Sequence, residues 1–316
     1  MIGIVGGGAF GTALAVALGR EGREVRLWAR DPDHIAEIAR TGTNAARLPG
    51  VVLPKTVSVT AEISDLAGAD AVLLSLPMQA LRAFLSANPS LNGLPLVACC
   101  KGVDLVTLKG PTALIKATCP ASTFAILTGP SFAADIARGL PTALTLACAD
   151  GEVLQHLLAT PSLRLYRTSD VIGAELGGAL KNVIAIATGI VMGAGLGDSA
   201  RAALMTRGYA EMTRLAMALG GRAETLAGLS GFGDLVLTCT STQSRNFRFG
   251  HALGAGKLFD PKATVEGAAT AIAVTNMANT LQIEMPITSM ISALISEQIT
   301  LPEAISALLS RPLKQE

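Results

Sequence analysis

The sequence predicts an α/β fold in two parts, a doubly wound parallel sheet followed by an all-helical domain. Three observations carry this. Up to about residue 170, short aliphatic runs bounded by Gly, Pro or Asp alternate with helix-length segments, the pattern of strands buried on both faces and joined by crossover helices. A glycine-rich loop separates the first run, IGIV, from the first helical stretch. From about Val171 onward the strand signals stop, and apolar residues recur at helical spacing among good helix formers.

Composition bounds the rest. A chain of 316 residues, 50% hydrophobic and 16% charged, has the length for about two domains and a substantial core. That composition excludes intrinsic disorder. The formal net charge of +1 supplies no global field for nucleic acid or an anionic membrane, so neither is an expected partner. Any anionic ligand needs a local site.

In chain order, IGIVG, EVRLW, AVLLSL, LVACC, FAILTG, TALTLAC and LRLY read as strands, with TALAVALGREG and PDHIAEIART as the helices after the first two. AELGGALKNVIAIATGIVMG, ARAALMTRGYAEMTRLAMALGG, AATAIAVTNMANTLQ and PITSMISALISEQ read as helices of the second part. The expected domains are residues 1–172 and 173–316, with no polar linker and therefore a packed junction. The uncharged run from Asn182 to Leu196 is shorter than the ~20 residues of a membrane span and is interrupted by Gly189, Gly193 and Gly195; it reads as a buried, close-packed helix. Cys99, Cys100, Cys119, Cys148 and Cys239 show no C-x-x-C spacing and read as buried, reduced thiols. The chain opens on MIGIVGGG without a basic leader and apolar run, so a cytoplasmic location is expected.

Gly6, Gly8 and Gly11 make the spacing G-x-G-x-x-G between a strand and a helix. The first allows the tight turn, the second lets the backbone approach a pyrophosphate, and the third lets helix pack on strand. The helix N-terminus then offers free N–H groups and a positive dipole end to the phosphates. This predicts a Rossmann-type dinucleotide site. At the end of the second strand, where an NAD-selective site places Asp or Glu, this chain has Trp28, Ala29 and Arg30. Arg30 facing a 2′-phosphate favours NADPH; the adjacent Asp31 leaves NADH possible, and Arg30 can equally be a solvated charge or part of a helix cap.

Other residues suggest a reaction centre. Lys101, just past the strand LVACC, stands at the carboxyl edge where doubly wound sheets bind ligands. TGPSFA, with Gly129, Pro130 and Ser131, follows FAILTG at the same edge and offers backbone amides and a hydroxyl, or is a plain turn. Lys181 sits among apolar neighbours in GGALKNVIAIA. Desolvation there depresses an ammonium's pKa toward the range of a general acid, unless the chain snorkels outward. Asn182 beside it can hydrogen-bond substrate or cofactor, and Asp234 can hold Lys181 charged and oriented. Ser244, Arg245 and Asn246 form a triplet whose guanidinium fork suits phosphate, or alternatively start a helix. His34, His156 and His251 show no zinc spacing; neither a metal site nor a function for them is expected.

These motifs carry a family resemblance. GGGAFGTALA, LPMQ, CCKGVD, TGPSFAADIARGLPTA, GALKNVIAIATGI, ALMTRGYAEMTRL, GFGDLVLTCTSTQSRNFRFG, VEG and EMPI occur in the order seen in bacterial NAD(P)-dependent glycerol-3-phosphate dehydrogenases, as far as about Pro286. The resemblance implies reversible reduction of dihydroxyacetone phosphate to sn-glycerol 3-phosphate for phospholipid synthesis, by a Rossmann-type domain and a helical domain, commonly in a homodimer. It implies that Lys181 is the catalytic acid/base. Lys101, Gly129, Ser131, Asp234, Ser244, Arg245 and Asn246, with Lys181, would bind substrate. Ala9, Phe10, Arg30, Lys101, Ala133, Arg245 and Glu266 would contact the dinucleotide along with the glycine loop. Thr264 and Phe10 depart from the residues usual at their positions, which touches details of cofactor contact only. Competing readings are another two-domain dehydrogenase, of 3-hydroxyacid or ketopantoate type, and a non-enzymatic dinucleotide sensor that would not need a buried Lys181.

Overall fold

The aliphatic runs pair into one sheet, and the computed structural model describes residues 1–261 and 263–309. The strands are β1 (Ile2–Val5), β2 (Val25–Trp28), β3 (Val57–Thr60), β4 (Ala71–Leu74), β5 (Leu96–Ala98), β6 (Phe124–Thr128), β7 (Thr142–Ala147) and β8 (Leu163–Thr168). Between them run α1 (Ala9–Arg20), α2 (Pro32–Thr41), α3 (Met78–Ala87), α4 (Pro111–Thr118), α5 (Ala133–Arg138) and α6 (Glu152–Leu158). The order across the sheet is β3-β2-β1-β4-β5-β6-β7-β8. The chain therefore winds outward from β1 to β3, returns to β4 on the other side of β1, and leaves a crevice between the carboxyl ends of β1 and β4.

Two details differ from the sequence reading. β3, the segment VSVT, is an additional strand; it lies at the sheet edge with an exposed serine and so lacks the continuous apolar run of a central strand. β7 runs antiparallel to β6, with Ile126 opposite Ala147 and Thr128 opposite Thr145, whereas all other neighbours are parallel. A strand covered on both faces reads as the same apolar run in either direction, so the reversal has no local signature.

One core packs α1 and α6 residues such as Leu14, Leu18 and Leu158 against one sheet face; another packs Leu81, Leu85, Leu114 and Ile115 of α3 and α4 against the other. Local signals set the helix ends. In α2, Asp31 caps the N-terminus, Pro32 occupies the first helical position, and Gly42 closes the C-terminus with φ of 67°.

After β8, the described chain is helical: α7 (Val171–Gly193), α8 (Gly197–Ala218), α9 (Ala223–Ala227), α10 (Asp234–Thr240), α11 (Arg245–Gly254), α12 (Glu266–Leu281), α13 (Pro286–Ile295) and α14 (Leu301–Leu309). A π-helical turn, Leu229–Gly233, leads into α10. Residues 262 and 310–316 of the expected second domain lie outside the described residues. α7 is the axis, packed by α8, α10, α11, α12 and α13. It is the described helix long and apolar enough to cross a membrane, and 89% of its most apolar 18-residue window is buried inside the fold. Its approach to α11 is backbone on backbone. A Cβ on Gly189 would overlap the carbonyl of Phe247, one on Gly193 that of His251, one on Gly250 that of Ile186, and one on Gly254 that of Ile190. Small residues four apart on both helices allow this contact, which delivers the N-terminus of α11 to the sheet edge. All five cysteines are free and buried.

Candidate active site

The glycine loop forms the floor of the crevice. Gly6 has φ of 117°, and a Cβ there would stand 2.5 Å from the Ser75 carbonyl at the end of β4. A Cβ on Gly11 would overlap the Gly6 carbonyl, whereas one on Gly8 would meet nothing within 4 Å. The loop is thus closed on its protein side and open on its outer side. Gly8 is the N-cap of α1 and makes no side-chain cap, so the N–H groups of Ala9, Phe10 and Gly11 have no intrahelical acceptor and are available to an anion. Asn44 fixes the loop from behind, its amide donating to the Gly7 carbonyl at 2.9 Å and to Thr12 Oγ1 at 2.8 Å. This cradle fits a dinucleotide's pyrophosphate. Ala133 begins α5, which lies against α1. Arg30 is exposed at the end of β2, and Asp31 turns its Oδ1 toward the N–H groups of Asp33 and His34. Three strand steps separate β2 from β5, about 14 Å, so a ligand touching both Arg30 and Lys101 must be extended.

At the neighbouring carboxyl ends a charged knot forms. Lys101, after β5, donates from Nζ to the Gly129 carbonyl at 3.1 Å and to Asp234 Oδ2. Lys181, in the middle of α7, donates to Asp234 Oδ1 at 2.9 Å and to Thr238 Oγ1 at 2.7 Å. Asp234 is 1% exposed and Lys181 9%. Lys181 does not snorkel. Ser131 joins through its own hydrogen bond to the Gly129 carbonyl at 3.1 Å. An ammonium has three N–H bonds, so each lysine keeps one donor beyond those named, and both flank one carboxylate.

Burial raises the Asp234 carboxyl, but the adjacent ammonium groups outweigh it and hold the pKa below the usual carboxylate value. Burial lowers Lys181 to about 8, with Asp234 opposing that fall and Lys101 adding to it. A lysine at about 8 exchanges its proton near neutral pH. Thr238 is the residue that sequence reading missed. It accepts from Lys181 and donates to Asp234 Oδ1 at 3.1 Å, fixing both groups. Its signal was its position four residues after Asp234, on the same helix face.

The third wall is built from helix N-termini. Ser244 caps α11, its hydroxyl accepting from Phe247 N at 3.2 Å, so the capping role open for the SRN triplet is realised. Asn246 donates to Asn182 Oδ1 at 2.9 Å and accepts from Gly267 N at 3.0 Å, tying the starts of α11 and α12 to α7. Arg245 remains exposed at the first position of α11. Burial raises the Glu266 carboxyl, while the charges of Arg245, Lys101 and Lys181 act against the rise. The N-terminus of α11, carrying Arg245, can hold an anion. Among the described residues, no group of three or more His, Cys, Asp or Glu side chains is placed to hold a metal.

A glycine loop at the topological switch point, with a buried lysine–aspartate knot beside it, defines a dinucleotide-dependent oxidoreductase. The chain belongs to the NAD-dependent glycerol-3-phosphate dehydrogenase family: the family's N-terminal region matches residues 1–154 and its C-terminal region residues 170–306. It is 65% identical to the glycerol-3-phosphate dehydrogenase (NAD(P)+) of Cereibacter sphaeroides, with 100% of each chain covered. Against the enzyme of that name from Ruegeria sp. the identity is 58%, covering 100% of this chain and 99% of the relative. A crystal structure of glycerol-3-phosphate dehydrogenase from Coxiella burnetii matches with a TM-score of 0.93 and 37% identity, covering 98% of each chain. A ketopantoate reductase from Ralstonia eutropha shares the fold alone, with a TM-score of 0.64 and 18% identity over 96% of this chain and 100% of that one. The cofactor is a nicotinamide dinucleotide and the substrate a small molecule.

Proposed function

We propose that this protein reversibly reduces dihydroxyacetone phosphate to sn-glycerol 3-phosphate, with Lys181 as general acid and base. The carrying observation is Lys181 itself: a buried ammonium, lowered to about 8 and held by Asp234 and Thr238, beside the start of α11 with its Arg245. When bound, the reduced nicotinamide supplies a hydride to the carbonyl carbon. Negative charge then develops on the carbonyl oxygen. The uncommitted N–H of Lys181 stabilises that charge and delivers the proton, and the neutral amine takes it back in the reverse direction. Asp234 keeps Lys181 aimed and keeps its pKa from falling further, while Lys101 supplies a second cation. Arg245 holds the phosphate, and Ser244 and Asn246 set its place through the α11 cap and the link to Asn182 and Gly267. Gly129 and Ser131 close the substrate's other side.

Gly6, Gly8, Ala9, Phe10 and Gly11 would hold the dinucleotide, with Ala133, Lys101, Arg245 and Glu266 as its further contacts. NADPH is preferred over NADH, since Arg30 is an exposed cation and Asp31 is engaged in its helix cap. We place the domain boundary at 172/173, in the first turn of α7. The protein acts as a cytoplasmic homodimer, a setting consistent with its free thiols.

The test is NADPH oxidation followed at 340 nm with dihydroxyacetone phosphate, run beside NADH and beside unphosphorylated dihydroxyacetone. Turnover confined to the phosphorylated ketone and faster with NADPH is the expected result. No turnover by protein that still binds NADPH overturns the substrate assignment. Light scattering at twice the chain mass checks the dimer.

A further inference from the structure

On sequence, His34 is a polar residue of an exposed helix, yet folding turns its ring onto the cofactor loop. It is the third residue of α2, and a Cβ on Gly7 would lie 3.8 Å from His34 Cδ2 and 3.9 Å from Nε2. Nε2 is buried and has no hydrogen-bond partner among the described residues. A buried ring nitrogen beside a phosphate-binding loop is a donor or acceptor held for something else. The surroundings narrow what that is. Asp31 Oδ1 receives the N–H groups of Asp33 and His34, so this oxygen of the carboxylate is committed to the helix cap. Arg30, at the end of β2 next to it, is exposed and makes no ion pair among the described residues. The corner between Gly7, the end of β2 and the start of α2 thus offers donors, and a phosphate is a ligand of acceptors only.

We propose that His34 is a cofactor-selecting residue: its half-buried ring turns out from Gly7 when the dinucleotide binds, and Nε2–H then donates to the 2′-phosphate on the adenosine ribose beside the Arg30 guanidinium. This rests on the dinucleotide reading above and specifies how NADPH is told from NADH. An unused nitrogen over Gly7 could instead serve the pyrophosphate, which both dinucleotides share, and the experiment separates these cases.

The probes are 2′,5′-ADP and 5′-AMP, which differ by the 2′-phosphate, titrated calorimetrically into the intact protein. His34→Phe keeps a flat ring over Gly7 and removes both nitrogens; His34→Ala is the second variant, and melting curves without ligand establish that each is folded. Loss of one charge-assisted hydrogen bond is about tenfold in Kd. The expected result is a roughly tenfold weaker 2′,5′-ADP complex with 5′-AMP changed by less than about twofold. Equal weakening of both probes, or no weakening in the folded variant, overturns the proposal. Wild-type protein that binds neither probe overturns the dinucleotide reading itself and this inference with it.

Discussion

Lys181 concentrates the chemistry at the scale of single residues. Its pKa of about 8 is a balance between burial, which lowers it, and Asp234, which raises it. Below that value it is an ammonium and can act as acid; above it, an amine and a base. The kcat/KM for ketone reduction should therefore fall as pH rises through about 8, and that for alcohol oxidation should rise over the same range. In Asp234→Asn the limb should move to lower pH, since the carboxylate that raised Lys181 is gone; a limb left in place in both variant and parent would remove Lys181 from the proton transfer. Lys181→Ala should retain NADPH binding and lose at least ~100-fold in kcat. Arg245 belongs to a different step. Arg245→Ala should raise KM for dihydroxyacetone phosphate roughly 10- to 100-fold, the worth of a charge-assisted pair, and leave unphosphorylated dihydroxyacetone nearly unaffected. Steady-state kinetics on both ketones decides it. Lys181 could be read from residue type and apolar context alone, whereas the substrate roles of Asp234 and the SRN triplet needed the family resemblance. Thr238 and His34 could not be read, because a threonine in LVLTCT and a histidine in PDHIAE gain meaning only from what folding sets against them.

At the scale of elements, the α7–α11 crossing determines whether the site exists. The overlaps that a Cβ would make at Gly189, Gly193, Gly250 and Gly254 are all with backbone carbonyls of the facing helix, which cannot swing aside as a side chain can. Gly250→Ala should separate the helices and destabilise the fold by about 3 kcal/mol, despite the better helix propensity of alanine. Denaturant unfolding measures this, and a neutral or stabilising result would contradict the packing described. Because Ser244, Arg245 and Asn246 ride on α11, the same substitution should also weaken substrate binding. Helical periodicity made each helix of the second part visible, and the glycines in GALKNVIAIATGIVMG announced close packing. Their partner could not be read, since the matching glycines lie in a separate segment, RNFRFGHALG.

The two halves of the molecule meet along α7. Glu175, in its second turn, accepts from Thr112 N at 2.6 Å and so caps α4 on the sheet side, close enough that Gly110 has no room for a Cβ. Burial raises this carboxyl to about 7, with the Thr112 hydrogen bonds opposing the rise. A carboxyl raised in the folded state favours folding at low pH, and that contribution is lost as pH climbs from the unfolded value through about 7. Glu175→Gln keeps an acceptor for Thr112 without the buried charge. Relative to the parent, it should gain of order 1 kcal/mol between pH 5 and pH 8, about 2–4 °C in Tm. A Tm difference independent of pH would show that Glu175 is already solvated when the halves are joined.

By itself the sequence determined the α/β class, the change to helices near Val171, the glycine loop and the reduced thiols, and it singled out Lys101, Lys181 and Asp234 as candidates. These are local matters: period of apolar residues, glycine spacing, and the cost of a lysine among aliphatic neighbours. Tertiary structure alone decided the antiparallel β7, the edge strand β3, the sharing of Asp234 between Lys101 and Lys181, and the convergence of the α11 and α12 starts on Asn182. Each of these joins segments far apart in the chain, and strand direction or hydrogen-bond partnership leaves no mark in the local pattern of residues. It is set by which buried faces and polar groups can be satisfied together.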